Sequence, residues 1–211
     1  MFEDFVTYMS QFHNVEHLGK DMEKYLTRVS YPKKHVVVEK GTVCNYVFFL
    51  EKGMMRAYYK KADNSEVTTW VLHEKQFVTA IQSFNSREPS LETVETLEPT
   101  TLVMVHYDDM MKFCYIFHDF ALCMFKLYQH LNVMRYMRNY LVQALKAPDR
   151  YDALCKSDPD LVRRVPLRVI ASYLDITQET LSRIRKQRML EGVCLPNVDD
   201  SDSEDEESSK K

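Results

Sequence analysis

The chain has 211 residues and a mass of 25.0 kDa, and its 45% apolar and 28% charged residues suffice for the cores of one or two domains. It has no apolar run of about eighteen residues, which excludes a membrane-spanning helix, and its acidic start lacks the order of an export signal, so we expect a cytoplasmic protein with no membrane partner. The net charge of −3 is uneven, because residues 196–211 carry seven acids and two lysines (−5) and residues 1–195 therefore sum to +2.

The cysteines and histidines do not indicate a disulfide framework or a metal centre. The cysteines are odd in number, scattered and free of CxxC pairs: Cys44, Cys114, Cys123, Cys155 and Cys194. His13, His17 and His35 follow no ligand spacing, so we interpret them as surface or hydrogen-bonding residues. Reduced thiols and no bound metal are the expectation.

The first half of the chain is rich in strand signals. Residues 2–30 have helix-like apolar spacing, whereas residues 36–104 contain six short runs rich in Val, Tyr, Phe and Thr. Gly41 and Gly53 follow lysines where the chain must turn, and glycine accepts a positive φ there. Short strands in series with tight turns predict a small antiparallel barrel or roll.

A long helix is predicted next, because residues 108–147 contain no Gly or Pro before Pro148. Spacings that alternate between four and three residues indicate the seam of a two-stranded coiled coil. The seam consists of Phe120, Met124, Leu127, Leu131, Met134, Arg138, Leu141 and Leu145. We expect Arg138 to pack its stem while its charged head reaches water. The alternative is a single helix packed on its own domain.

Residues 166–190 predict a helix-turn-helix. Pro166 can open a first helix, whose apolar face carries Leu167, Ile170 and Leu174 beside the small Ala171. Asp175 tolerates a left-handed turn conformation. Thr177 is a suitable N-cap for a second helix, in which Leu181 and Ile184 face inward.

The outer face of the second helix is polar and basic. Glu179, Ser182, Arg183 and Lys186 lie at helical spacing on one side, and residues 178–190 carry a net charge of +3. Such a face fits the major groove of DNA, where Arg binds guanine and Glu accepts from cytosine. The alternative is a solvated basic face on an ordinary helical hairpin.

The stretch IASYLDITQETLSRIRK, together with the EKG…R pattern at Glu51-Lys52-Gly53 and Arg56, resembles the Crp/Fnr superfamily of bacterial transcription regulators. The resemblance covers nearly residues 1–195 and implies an α+β protein: an antiparallel β-roll (jelly-roll-like double-stranded β-helix), a long dimerisation helix and a winged-helix-type helix-turn-helix. We assign the sensor β-roll to residues 1–110, the dimerisation helix to 111–147 and the DNA-binding domain to 148–198. Residues 199–211 form an acidic tail that we expect to be disordered.

The resemblance also implies site residues. The base-reading glutamate and arginine fall on Glu179 and Arg183, and a variable reading position falls on Gln178. The full set of expected DNA contacts is Thr177, Gln178, Glu179, Thr180, Ser182, Arg183 and Lys186. The dimer contacts are expected from Phe120, Met124, Leu127, Leu131, Met134 and Leu141.

The expected effector pocket departs from the family pattern. In members that bind cyclic AMP, a Gly-Glu pair and an Arg-Ser pair hold the ribose and phosphate; here they fall on Thr79-Ala80 and near Ser90-Leu91. Without Arg the phosphate loses a bidentate contact, although Arg87 is a nearby substitute. We therefore expect no response to cyclic AMP, and the cofactor is unknown. Motifs for haem or an iron–sulfur cluster are also missing.

The wing is expected to be short, since only residues 193–195 could form a strand before the acidic tail. That tail could screen or mimic nucleic acid, or carry phosphates on its serines, but a solvated end is the commoner structure.

The sequence thus predicts a homodimeric regulator that binds a pseudo-palindromic DNA operator, with RNA polymerase as a further candidate partner. The alternative is a ligand- or protein-binding β-roll whose helix-turn-helix no longer reads DNA. No catalytic motif is apparent, so we do not expect an enzyme.

Overall fold

The computed structural model describes residues 2–191, so the predicted wing strand at 193–195, the tail at 199–211 and Cys194 lie outside the described residues. The chain begins with α1 (Glu3–Ser10), a 3₁₀ helix (Glu16–Leu18) and α2 (Gly19–Glu23). The helical prediction for residues 2–30 is wrong after Glu23. Residues 26–31 form a strand instead, because they pair with a strand that ends at His106.

Eight strands follow one another between residues 26 and 106, interrupted by the short helix α3 (Ile81–Ser86). They are β1 (Leu26–Tyr31), β2 (Val36–Val38), β3 (Tyr46–Lys52), β4 (Met55–Lys60), β5 (Glu66–Leu72), β6 (Phe77–Val78), β7 (Thr93–Thr96) and β8 (Thr100–His106). They form two antiparallel four-stranded sheets, ordered β1-β8-β3-β6 and β2-β7-β4-β5. This two-sheet roll confirms the predicted fold class.

The main core contains residues from both sheets and from the N-terminal helix. Phe49 and Leu50 on β3 and Leu102 on β8 are fully buried. Phe5 of α1 packs edge-on against Phe49 at a centroid distance of 5.6 Å. Because α1 packs against β3, that strand is apolar over consecutive positions rather than alternating.

The predicted long helix is two helices, α4 (Tyr107–Ile116) and α5 (His118–Ala144). The chain is extended at Phe117, whose ring stacks on the Phe113 ring with the two ring centroids 5.3 Å apart. The break between the two helices is therefore accompanied by aromatic packing, and no Gly or Pro in the sequence predicts it. His13 and His17 lie 3.2 and 3.3 Å from the Asp119 carboxylate, so they join the N-terminal segment to the start of α5.

The C-terminal part is helical: α6 (Ala147–Ser157), α7 (Pro159–Arg164), α8 (Leu167–Tyr173) and α9 (Gln178–Leu190). Its core includes the fully buried Tyr151, Val162 and Leu181, and it extends to Met54 and Val71 of the β-roll. The helices are therefore packed against the β-roll through shared apolar contacts.

Candidate nucleic-acid interface and effector cavity

The turn between α8 and α9 follows from local chemistry. Asp175 adopts φ 55°, as the sequence predicts. The Ile176 N–H donates to the Ala171 carbonyl at 3.0 Å, and the Asp175 N–H donates to the Ser172 carbonyl at 3.2 Å. These two bonds form a Schellman motif with Asp where glycine is usual. The motif ends α8 and turns the chain into the next helix.

Helix α9 is capped and anchored as expected. The Thr177 hydroxyl accepts a hydrogen bond from the Thr180 N–H at 3.2 Å, which satisfies one of the free amides of the first turn. Leu181 and Ile184 are buried against the domain, on the same side as the buried Ala171. Most of the remaining helix surface is thereby left to solvent.

The predicted reading face lies on that solvent side. Most of the residues expected to contact DNA are exposed, and only Thr180 is half-buried; the exposed residues are Thr177, Gln178, Glu179, Ser182, Arg183 and Lys186. Within residues 2–191, neither Arg183 nor Lys186 makes an ion pair. Two cations on this face are thus available to an external anion.

The positive charge that α9 presents to solvent is smaller than the net charge of +3 counted from the sequence of residues 178–190. Arg188 binds both oxygens of Asp152, at 3.0 and 2.6 Å, and also Glu191 at 2.7 Å, and this contact lowers the pKa of Glu191. Arg185 is half-buried. Arg188 is therefore neutralised within the chain, and the +3 expected from the sequence overstates what DNA would meet.

The first half of helix α5 packs the predicted dimer seam against the protein's own core, whereas Met134 of that seam is 47% exposed. Phe120 and Leu127 are 4% and 2% exposed and belong to the main core, while Met124 and Leu131 pack against it. Phe120 and Leu127 thus cannot form an interface with a second copy, and their assignment as dimer contacts is wrong. The alternative, that this face packs on its own domain, holds for the first half of the helix.

Arg138 does not extend its head into water as predicted. Its guanidinium donates to the carbonyls of Thr68 on β5 and Tyr173 on α8, both at 3.0 Å. It also lies 4.8 Å from the centre of the Tyr173 ring. Arg138 therefore connects three elements: the long helix, the β-roll and the first helix of the helix-turn-helix.

The side of α5 that lies opposite the predicted seam carries exposed apolar side chains. Five side chains that are 49–68% exposed lie within an arc of about 140° of the helix: Phe125, Tyr128, Val133, Tyr136 and Tyr140. The predicted seam is centred roughly opposite this arc. We call these five residues the outer stripe.

Two cavities lie where the effector pocket was expected. The larger, of about 120 Å³, lies between the β-roll and α5 and includes Thr79 in its wall. The smaller, of about 80 Å³, is lined by Ala80, Ser90 and Leu91 among others. The structure thus brings four of the five predicted pocket residues to cavity walls.

Arg87 does not take part in either cavity wall. Its guanidinium donates to the Cys44 carbonyl at 2.9 Å and to Asn45 Oδ1, and it lies 4.1 Å from the centre of the Tyr107 ring. The idea that Arg87 replaces the missing phosphate-binding arginine is therefore wrong, because its donors are used to hold the chain around Cys44.

The cation that does reach both cavities is Arg135 on α5, which the sequence analysis did not single out. It follows Leu131 by four residues, on a helix side that is otherwise apolar. The sequence does contain a signal for Arg135, because a charged residue there interrupts an apolar helix face.

The comparisons with known proteins agree with this architecture. Residues 28–115 match the model of the cyclic nucleotide-binding domain. Among solved structures, FixK2 from Bradyrhizobium japonicum superposes with a TM-score of 0.70 at 20% identity, over 79% of this chain and 86% of that one. A CRP/FNR family transcriptional regulator from Thermus thermophilus gives 0.61 at 14% identity, over 79% and 87%. The chain has the Crp/Fnr fold.

A mutant of CooA from Carboxydothermus hydrogenoformans also shares the Crp/Fnr fold, with a TM-score of 0.64 at 20% identity over 84% of each chain. No curated protein matches the sequence. Within residues 2–191, no helix is both long and apolar enough to cross a membrane. The resemblance inferred from the helix-turn-helix and the EKG…R pattern is confirmed at the level of the fold.

Proposed function

We propose that this protein is a homodimeric transcription regulator that binds specific DNA sequences and does not respond to cyclic AMP. The observation that carries the proposal is the solvent-facing side of α9. It is N-capped at Thr177, anchored by Leu181 and Ile184, and presents Arg183 and Lys186 without an ion pair among the described residues.

The chemistry of this face suits the major groove. A helix fits that groove, where the Arg183 guanidinium can hold guanine O6 and N7 and the Glu179 carboxylate can accept from cytosine N4. Lys186, one turn further along, is placed for a phosphate, which fixes position without reading sequence. Thr177, Gln178, Thr180 and Ser182 supply the remaining contacts near the start of the helix.

The dimer is proposed through the outer stripe rather than the predicted seam. Its aromatic and aliphatic side chains are exposed in one copy, and pairing two such helices removes them from water. A twofold pair of recognition helices would meet half-sites about 34 Å apart, so the operator should be pseudo-palindromic. RNA polymerase is a candidate partner of the DNA-bound dimer.

The lack of a cyclic AMP response is proposed from the cavity walls. Among the described residues of the two cavities, the only cation is Arg135, and the carboxylate of the smaller cavity, Glu92, would repel a phosphate. The single guanidinium of Arg135, opposed by the Glu92 carboxylate, does not neutralise a phosphate in these cavities.

The test selects bound fragments from a random DNA library and compares variants on the enriched sequence. We expect a pseudo-palindrome, binding that weakens steeply with salt, and a loss of about 1–3 kcal/mol in Arg183→Ala. Arg163→Ala removes an exposed arginine outside α9 and should bind as the parent does. Equal binding by Arg183→Ala would refute the assignment of the recognition helix.

A second function remains a candidate because of the ion pairs of Arg188. With Arg188 neutralised, α9 offers fewer cations than the sequence suggests. In this second function the β-roll binds a ligand or a protein, and the helix-turn-helix does not bind specific DNA sequences. This candidate is favoured if the selection enriches no sequence.

A further inference from the structure

The exposed side of α9 carries two kinds of side chain in a fixed order. Arg183 and Lys186 occupy its middle, and both are exposed without an ion pair among the described residues. Met189 and Leu190, which are 69% and 82% exposed, lie in the last turn. At about 100° per residue, these four side chains fall within an arc of about 120°. From the end of α9 backwards, this face is therefore first apolar and then cationic.

The chain beyond α9 has the same kinds of residue in a matching order. Residues 192–211 follow Glu191, the last residue that the structure describes. Residues 192–198 carry no charge and include three branched aliphatic side chains, whereas residues 199–207 of the acidic tail contain seven acids and no base. A segment that returns along α9 from Glu191 would thus meet apolar side chains first and cations next.

The length of this segment allows the return. Lys186 and Arg183 lie five and eight residues before Glu191, which is about 8 and 12 Å along the helix axis. The eight residue steps from Glu191 to Asp199 span up to about 28 Å when extended, so the acids can reach both cations. Such a tether holds the acids at an effective concentration of millimolar order, which compensates for the weakness of each exposed ion pair.

The charged groups around this face decide where the acids can bind. Glu179 lies on the same side, one turn before Arg183, and repels further carboxylates, so the contact should end at Arg183. Arg188, which is nearer to the tether, is already paired with Asp152 and Glu191. The acids are therefore directed to the middle of the helix.

We propose that the acidic tail binds this face of α9 in its own chain and competes there with DNA. Carboxylates of residues 199–207 accept hydrogen bonds from the Arg183 guanidinium and the Lys186 ammonium, in the place of DNA phosphates and base acceptors. Because the tail must leave before a duplex can enter, it lowers the affinity for specific and nonspecific DNA alike. The competition rests on the proposed DNA binding, whereas the contact itself does not.

The contact is tested without DNA by carbodiimide cross-linking of the full-length protein, which joins lysine amines to carboxylates that touch them. Mass spectrometry of the linked peptides should show residues 199–207 joined to Lys186 several times more often than to Lys40. Lys40 is the matched control, since it is exposed and makes no ion pair within residues 2–191. The excess should disappear at about 1 M salt. Equal linking of the two lysines would overturn the proposal, as would links formed only between labelled and unlabelled molecules in a mixture.

The competition is tested with a random-sequence DNA duplex at about 50 mM salt, where nonspecific binding is strong. In a full-length variant, Asn and Gln replace the seven acids of residues 199–207. This variant should bind the duplex about threefold to tenfold more tightly than the parent, since the parent's affinity is reduced by the fraction of molecules whose face is covered. Glu3→Gln with Asp21→Asn, which neutralises two exposed acids of α1 and α2, should bind as the parent does.

The Lys186→Gln background separates a direct contact from a long-range effect of charge. Neutralising the tail should increase affinity less in this background, because the tail has already lost one of its two partners. An equal increase in both backgrounds would refute the competition at α9. If no variant binds the duplex, the DNA-binding proposal and the competition both fail, whereas the cross-linking result still decides whether the tail contacts α9.

Discussion

Two glycines of the β-roll have the same backbone conformation and different surroundings. Gly41 and Gly53 have φ values of 89° and 102°, which confirms the turns expected at both positions. A Cβ on Gly53 would lie 2.5 Å from Thr100 Oγ1 and 2.8 Å from the Pro99 carbonyl oxygen, whereas a Cβ on Gly41 meets nothing within 4 Å.

We therefore expect Gly41→Ala to cost about 1–2 kcal/mol, the strain of a left-handed residue, and Gly53→Ala to cost more because backbone atoms must also move. Urea unfolding of the two variants measures the difference. Equal losses of unfolding free energy in the two variants would show that the turn before β4 accommodates the added Cβ without further strain.

Arg56 is a buried charge with two acidic partners. Its side chain is 3% exposed and lies 2.7 Å from carboxylate oxygens of both Glu66 and Glu95. The guanidinium also lies 4.0 Å from the centre of the Tyr58 ring. This arginine of the EKG…R pattern therefore joins β4 to its two neighbouring strands, β5 and β7.

Removal of one partner of a buried ion pair leaves the others uncompensated, so we expect Arg56→Met to destabilise the fold by about 3–5 kcal/mol. Arg28→Met removes a more exposed arginine, paired with Glu51, and should cost less than about 1 kcal/mol. Chemical denaturation checks both values. A small loss of unfolding free energy in Arg56→Met would mean that Glu66 and Glu95 become hydrated or protonated at little cost.

At the scale of the element, α5 presents two candidate faces for a second copy. Tyr136 of the outer stripe is 68% exposed, and Met134, on the side of the predicted seam, is 47% exposed. A charge placed in an apolar interface must be desolvated, so it weakens whichever face pairs.

We expect Tyr136→Glu to convert the dimer to monomers at micromolar concentration, while Met134→Glu leaves the dimer intact. Sedimentation velocity measures the outcome directly. The reverse result would return the interface to the predicted seam, and a monomeric parent would remove the dimer from the proposal.

At the scale of the molecule, polar contacts hold the C-terminal helices to the β-roll. Arg164 of α7 binds Glu74 at 2.8 Å and Glu98 at 2.5 Å. The Ser172 hydroxyl of α8 donates to the Glu66 carbonyl and accepts from the Thr68 N–H, both at 2.8 Å. Arg138 lies beside these bonds and one turn from Arg135, so the two cavities that Arg135 lines are close to the junction.

One contact of this junction joins a histidine to a carboxylate. His73 Nε2 lies 3.1 Å from Asp158 Oδ2, and this hydrogen bond raises the pKa of His73 against the opposing effect of burial. Burial alone would raise the pKa of Asp158, but the hydrogen bonds from His73 and from the Leu161 N–H outweigh it and lower that pKa. Glu74 adds to the rise at His73, and Arg164 opposes it.

Because the pKa of His73 is raised in the folded state, its stabilisation is complete below about pH 6.5 and is lost as the pH rises through the folded value. The loss should stay below about 1 kcal/mol, since both side chains are partly exposed. His73→Gln should flatten the fall in melting temperature as the pH rises above about 6.5, whereas the exposed His118→Gln should not. Identical pH profiles for the parent and His73→Gln would remove this ion pair from the junction.

Features that depend on neighbours a few residues away were predictable from the amino-acid sequence. The left-handed Asp175, the N-cap Thr177, the buried Leu181 and Ile184, and the positive φ of two glycines follow from steric limits and short-range hydrogen bonds. The order of a β-roll, long helix and helix-turn-helix follows in the same way, because hydrophobic periodicity reports the local type of structure.

Contacts between residues that are far apart in the chain were not predictable from the sequence and became visible in the folded protein. Strand β1 forms because Leu26 pairs with Val105. The first half of the seam of α5 faces inward because it packs on α1, α4 and the main core. The guanidinium of Arg87 is bound by atoms of residues 44 and 45. Arg135 reaches the cavity for the same reason. Periodicity identifies an apolar face but not its partner, since a copy of the chain and the chain's own sheet remove the same surface from water.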